Sequence, residues 1–184
     1  MPALALTCHP SAPCTFVRAL DVRLDWLGED VLALRYRVEG DLDRLRIPEE
    51  RRSAHADGLW RHTCFEAFVK RGDTPAYLEL NFSASGEWAL YGFDDYRHGM
   101  RPLAPREAPG IVGRRSGDVF AADVRVHLGG VLDGRAHAGP LRLGVAAVLE
   151  DTQGQLYYWA LAHPSEQPDF HHADSFTLSL AQPE

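Results

Sequence analysis

Cysteine is scarce in this chain, and the three present, Cys8, Cys14 and Cys64, are an odd number at no metal-ligand spacing. A disulfide framework is therefore not indicated, and Cys64, inside an apolar run, reads as a small buried hydrophobe. Any basic block is also lacking. Nineteen Lys and Arg stand against 26 Asp and Glu, a formal net charge of -7, which argues against nucleic acid as a partner. No apolar run approaches the roughly 18 residues of a membrane span, so no membrane role is expected. The opening residues, MPALALTCHPSAPC, have no basic n-region, and their apolar run is broken by His9 and Pro10. That pattern points away from a signal peptide and towards the cytoplasm. A nucleophile motif, a P-loop and a dinucleotide fingerprint are missing too. His172, Asp174 and Ser175 name the members of a triad, but neighbours in one segment cannot adopt its geometry. With no positive signal for catalysis, a binding role is expected.

What is present is a succession of short alternating segments. Leu20 to Leu27 sets Val22, Leu24 and Trp26 against Asp21, Arg23 and Asp25, the period of a half-buried strand. After the turn Gly28-Glu29-Asp30, Leu32, Leu34, Tyr36 and Val38 oppose Arg35 and Arg37, which predicts a hairpin. Further strands are predicted at 60–70, 77–82, 87–93, 119–128, 141–149, 155–162 and 176–180, separated by turn signals such as Gly72-Asp73-Thr74-Pro75 and Asp151-Thr152-Gln153-Gly154. Residues 40–58 and 94–110 read as long loops, of the kind that more often carry function than not. Residues 129–140 are Gly-rich and turn-like. No segment sustains a period of 3.6. The expectation is an all-β, antiparallel two-sheet β-sandwich of jelly-roll type, with a closed barrel as alternative, forming a single domain over 1–184 with an arm at 1–18. A chain of 184 residues buries roughly 70% of its unfolded surface without help from metal or disulfide.

The densest stretch is 59–93, LWRHTCFEAFVKRGDTPAYLELNFSASGEWALYGF. Alternation puts Thr63, Phe65, Ala67 and Val69 on one face of its first strand and His62, Cys64, Glu66 and Phe68 on the other. In the second strand Tyr77, Glu79 and Asn81 oppose Leu78, Leu80 and Phe82. Glu66, Glu79 and Asn81 can thus share one face, where a polar group needs a partner or a ligand. Glu66 either pairs with Arg35 or Arg61, or helps bind sugar hydroxyls with Asn81. Trp60, preceded by a polar loop, is a candidate stacking platform, whereas Trp26, Trp88 and Trp159 read as core. The run from His163 to Asp174 is rich in potential ligands. His171, His172 and Asp174, with His62 or Glu66, could hold a metal in a metal-dependent enzyme, although adjacent His side chains on an extended segment point to opposite sides. Asp41, Asp43, Asp94 and Asp95 are candidates for calcium.

Trp-x5-Glu (Trp60, Glu66), followed by E-x-N-x-S-x-x-G (Glu79, Asn81, Ser83, Gly86), resembles the bacterial DOMON-like proteins related to family 9 carbohydrate-binding modules, over about Val22 to Leu180. The resemblance implies a β-sandwich in which an aromatic pair grips a sugar. Trp60 would be one jaw, and Glu66 and Asn81 would supply hydrogen bonds. In place of a clear Trp, the second jaw is offered by Phe170, His171 and His172. Related DOMON domains bind haem b through two axial side chains, which here implies Met100 with His98, His163 or His171 in an electron-transfer module. The leading expectation is a saccharide or sugar-like small molecule held by Trp60, Arg61, His62, Glu66, Glu79, Asn81, Phe170, His171 and His172, with no cofactor.

Overall fold

The alternating segments become strands because their apolar positions fall on one side of the pleat. In the computed structural model, which describes residues 1–129 and 140–181, the strands are β1 (Leu4–Cys8), β2 (Val17–Trp26), β3 (Val31–Gly40), β4 (Cys64–Arg71), β5 (Tyr77–Phe82) and β6 (Trp88–Phe93). They continue as β7 (Arg101–Pro102), β8 (Gly110–Ser116), β9 (Val119–His127), β10 (Leu141–Glu150), β11 (Leu156–Ala160) and β12 (Leu178–Leu180). The turn expected at 129–140 falls almost wholly outside the described residues. No helix among the described residues is long and apolar enough to cross a membrane.

All strand pairs are antiparallel and form one path, β7-β6-β5-β4-β10-β11-β1-β2-β3-β9-β8, with β12 also on β10. The sheet curls over on itself, where a jelly-roll of two separate sheets was expected. The joint is β1, which was expected to be part of an arm. Its Leu4 to Leu6 pair with β2, while Thr7 and Cys8 pair with Ala160 and Trp159 of β11. Backbone hydrogen bonds therefore continue from one half of the sheet to the other.

The two halves enclose one core. Leu20, Val22 and Leu24 of β2 and Leu32, Leu34 and Val38 of β3 meet Phe65, Ala67 and Val69 of β4 and Leu78, Leu80 and Phe82 of β5, all buried. Each Val, Leu or Phe among them contributes about 1.5–3 kcal/mol by leaving water. Tyr36 fixes the registration across the core: its hydroxyl donates to the Glu66 backbone carbonyl at 2.8 Å and its ring lies 4.9 Å from that of Phe65. Phe65 also stacks on Phe120 of β9, centroids 6.2 Å apart. Trp159 is core as expected. Trp88 and Trp26 lie half-buried at its margin, and the Trp26 indole donates to Ala181 O at 2.8 Å.

Candidate functional site

The alternation that turns Phe65, Ala67 and Val69 into the core turns Cys64, Glu66 and Phe68 to the opposite face of β4. Tyr77, Glu79 and Asn81 of β5 and Ala89, Tyr91 and Phe93 of β6 follow them. On an open sheet these residues would face water. Here every residue of β5 is buried, because three loops close over this face.

The first loop, 41–63, is pinned where Thr63 Oγ1 donates to Arg46 O at 2.6 Å and accepts from Glu150 N at 3.0 Å. It ends in a short 3-10 turn, Leu59–Arg61, so Trp60 sits on that turn and not at a strand start as expected. The second, 94–100, and the third, 161–177, are joined to each other. Tyr96 Oη and an Arg97 guanidinium nitrogen donate to the two oxygens of Asp169 at 2.7 and 2.9 Å. Burial works against a charge on Asp169, but these donors outweigh it and hold the carboxyl below its ordinary range. The third loop can approach β10 because residue 144 is glycine: a Cβ there would lie 2.9 Å from Ser175 O.

Under these loops is a cavity of about 430 Å³. Trp60, Phe93, Tyr158 and Phe170 supply aromatic wall, Val148, Leu156 and Pro168 aliphatic wall, and Arg61, Glu66, Glu79, Arg97 and His171 the polar groups, with Met100 at an exposed edge. The Trp60 ring makes an edge contact with Tyr91, centroids 5.8 Å apart, and Tyr91 Oη donates to Asp57 at 2.6 Å.

The polar floor is a connected network with one gap. Tyr77 Oη accepts the Arg97 backbone N–H at 3.1 Å, leaving its own proton for His171 Nδ1 at 2.7 Å. That assigns the remaining His171 proton to Nε2, which points at Glu79 Oε2, 3.7 Å away. Glu79 Oε1 accepts from Asn81 Nδ2 at 2.7 Å, and Asn81 Oδ1 faces the Cys64 thiol at 3.8 Å. Burial, with Arg97 nearby, depresses the His171 pKa to about 4, so its contact with Glu79 is not an ion pair at neutral pH.

The gap is Glu66. The residue is 2% exposed, and its Oε1 has no hydrogen-bond partner among the described residues. Burial, then the neighbouring Glu79, pushes its pKa well above the carboxylate range. Glu79 is also raised by burial, but Asn81 and Arg97 favour its ionised form. Of the two carboxyls, Glu66 is the one that burial pushes further towards its neutral form.

Six residues expected from the sequence, Trp60, Arg61, Glu66, Glu79, Phe170 and His171, line this cavity. Asn81, 0% exposed, lies behind Glu79 and orients it. His62 turns away to bond Glu150 at 2.8 Å, and His172 caps the turn Ala173–Ser175 by accepting from Asp174 N. Those two take no part in the cavity wall. Glu66 has no ion pair with Arg35 or Arg61 among the described residues, and Arg35 bonds Asp123 on the far half of the sheet. Phe93, Val148 and Tyr158 share a face with the expected residues by alternation alone and could have been found that way. Arg97 and Pro168 lie on irregular loops and gave no signal.

No family model matches the chain, and no curated protein matches it in sequence. Among solved structures, a candidate carbohydrate-binding protein from Bacteroides uniformis superposes with a TM-score of 0.73 at 15% identity, covering 98% of this chain and 87% of the other. That likeness shows the fold. A family 9 carbohydrate-binding module from Caldicellulosiruptor kristjanssonii, in complexes with glucose and with cellotriose, superposes with TM-scores of 0.44 and 0.45 at 12% identity. These cover 84% of this chain and 73% and 70% of the others, too distant a likeness to carry an argument.

Of the haem candidates, His171 has both ring nitrogens engaged. Met100 and His171 do border the same cavity, but His171 commits Nδ1 to Tyr77 and directs Nε2–H at Glu79, leaving no lone pair for iron. His163 bonds Thr7 O through Nε2 at 2.8 Å, and neither His163 nor His98 is in the cavity wall. No cluster of three or more His, Cys, Asp or Glu suited to a metal occurs among the described residues. Of the calcium candidates, Asp43 is bonded to Arg115 at 2.6 Å and Asp94 to Arg101 at 2.7 Å.

Proposed function

We propose that this protein is a non-catalytic carbohydrate-binding module, related to the DOMON-like and family 9 binding proteins, and that its ligand lies in the Trp60–Glu66–His171 cavity. The observation that carries the reading is Glu66 Oε1, a buried polar atom without a partner among the described residues, in the same wall as an aromatic platform. Such an atom costs about 1–3 kcal/mol unless something bonds it, and a ligand hydroxyl would do so. The cavity volume of about 430 Å³ lies within the roughly 300–1,000 Å³ usual for small-molecule sites. A sugar ring presents C–H bonds to an aromatic face and hydroxyls at its edge. Trp60 suits the first, and Glu66, pushed by burial towards its neutral form, and His171 suit the second. The carbohydrate role attached to the Bacteroides uniformis protein agrees with this reading.

Isothermal titration calorimetry against a panel of mono- and oligosaccharides should give at least one saccharide ligand, recovered chemically unchanged. Trp60→Ala, checked by circular dichroism, should weaken it by about tenfold or more. A folded protein that binds no saccharide, or Trp60→Ala binding as tightly as wild type, would contradict the reading.

A further inference from the structure

We infer that the saccharide taken by this cavity is an acidic one, a uronic or aldonic acid whose carboxylate sits at the mouth against Arg61. The inference rests on the carbohydrate reading and narrows it.

The wall carries two guanidinium groups, and they differ. Arg97 already faces Asp169, with one nitrogen 2.9 Å from its carboxylate, so its charge is matched inside the protein. Arg61 is exposed and has no acidic partner among the described residues, although the chain carries a formal net charge of -7. An unpaired arginine on a surface is ordinary. Arg61 differs in bordering a cavity whose floor holds an unpartnered buried oxygen, Glu66 Oε1.

The two features of the one wall differ in depth, the cation being exposed and the carboxyl buried. A ligand that completes both must carry an anion at one end and hydroxyls at the other. Glu79 fixes which way round it lies, because a carboxylate at the floor would meet a second carboxyl. The hydroxyl end therefore points to Glu66 and the acid end to Arg61. A guanidinium offers a planar fork of donors that fits a carboxylate with two parallel hydrogen bonds, which a lysine cannot reproduce.

The test is calorimetry at pH 7 with matched pairs, glucuronate against glucose and galacturonate against galactose, with glucuronamide as the uncharged analogue. At least one acid should bind about tenfold or more tightly than its neutral partner and than the amide, the size of a charge-assisted hydrogen bond. Raising the salt from about 0.05 to 0.5 M should shrink that ratio, since Arg61 is exposed to screening. In Arg61→Ala, confirmed folded by circular dichroism, the ratio should fall towards one, and Arg61→Lys should recover part of it. Neutral sugars binding as well as their acids would overturn this inference and leave the carbohydrate reading standing. A preference that survives in Arg61→Ala would overturn it as well. No binding of any sugar to folded wild type would overturn both.

Discussion

The outward faces of the two halves of the sheet have the same kind of strand beneath them and opposite fates. On β2, β3, β8 and β9 the outward residues include Arg, Asp and Glu, and several of them pair with one another in water. Arg35 bonds Asp123, Arg114 reaches the same carboxylate at 3.0 Å, and Arg37 lies 3.8 Å from Asp21. On β4, β5 and β6 the outward residues are Glu66, Glu79, Asn81 and a set of aromatics, and loops cover them. A polar residue on the first face has solvent as its fallback and contributes little. One on the second face must find a partner or leave an unpaired atom, and Glu66 Oε1 is left.

The largest effect should come from neither outward face but from the core between the halves. Phe65→Ala removes the ring that meets both Tyr36 and Phe120 and should cost about 3–5 kcal/mol in urea denaturation. A loss under about 1 kcal/mol would mean that the halves do not share one core.

Next comes acid sensitivity confined to the covered face. The folded pKa of His171, about 4 against an ordinary 6.5, is depressed, so its contribution is present above pH 6.5 and is lost as the pH falls towards 4. That shift corresponds to on the order of 3 kcal/mol. Asp169, also depressed, adds to the loss at the acid end. Glu66 is raised, so its contribution has the opposite sign: present below the ordinary carboxyl value and lost as the pH rises towards its folded value. Denaturation midpoints from pH 4 to 8 should show His171→Gln flattening the acid limb and Glu66→Gln flattening the neutral one. Curves parallel to wild type in both variants would sink the assignment.

A smaller cost attaches to Asn81, which holds Glu79 and faces Cys64. Asn81→Ala should lose about 1–3 kcal/mol by stranding a buried carboxyl oxygen. The smallest effect belongs to the solvated face. Asp123→Asn breaks two ion pairs with exposed arginines and should change stability by no more than about 0.5 kcal/mol, less still in high salt. If Asp123→Asn cost more than Asn81→Ala, the contrast between the faces would be false.

Most of the strand framework was legible because period-2 alternation is a local signal. It placed Glu66, Glu79 and Asn81 on one face and Phe65, Leu78 and Leu80 on the other. It missed β1, whose Leu4–Cys8 is short and split between two partner strands, and β8, whose Gly110–Ser116 forms a sheet edge with little apolar pattern. The curl of the sheet into one path depends on β1 and was therefore not visible. Within the site, Trp60 and Glu66 stood out by residue type. Which histidine enters the cavity did not, because His62 and His171 differ in what the neighbouring strands offer them: Glu150 to one, Tyr77 and Glu79 to the other. Arg97 reaches the wall from a left-handed backbone position at φ 50° in an irregular loop, which no periodicity marks.

If a saccharide enters on the covered face beside Trp60, the four tryptophans report on it separately. In a two-dimensional NMR titration with the saccharide found by calorimetry, each indole N–H peak can be assigned by single substitution to Phe. A saccharide in the cavity should give a saturating shift of the Trp60 peak, with those of Trp26, Trp88 and Trp159 unmoved. Saturating shifts at Trp26 with none at Trp60 would place the ligand elsewhere on the sheet and contradict the proposed site.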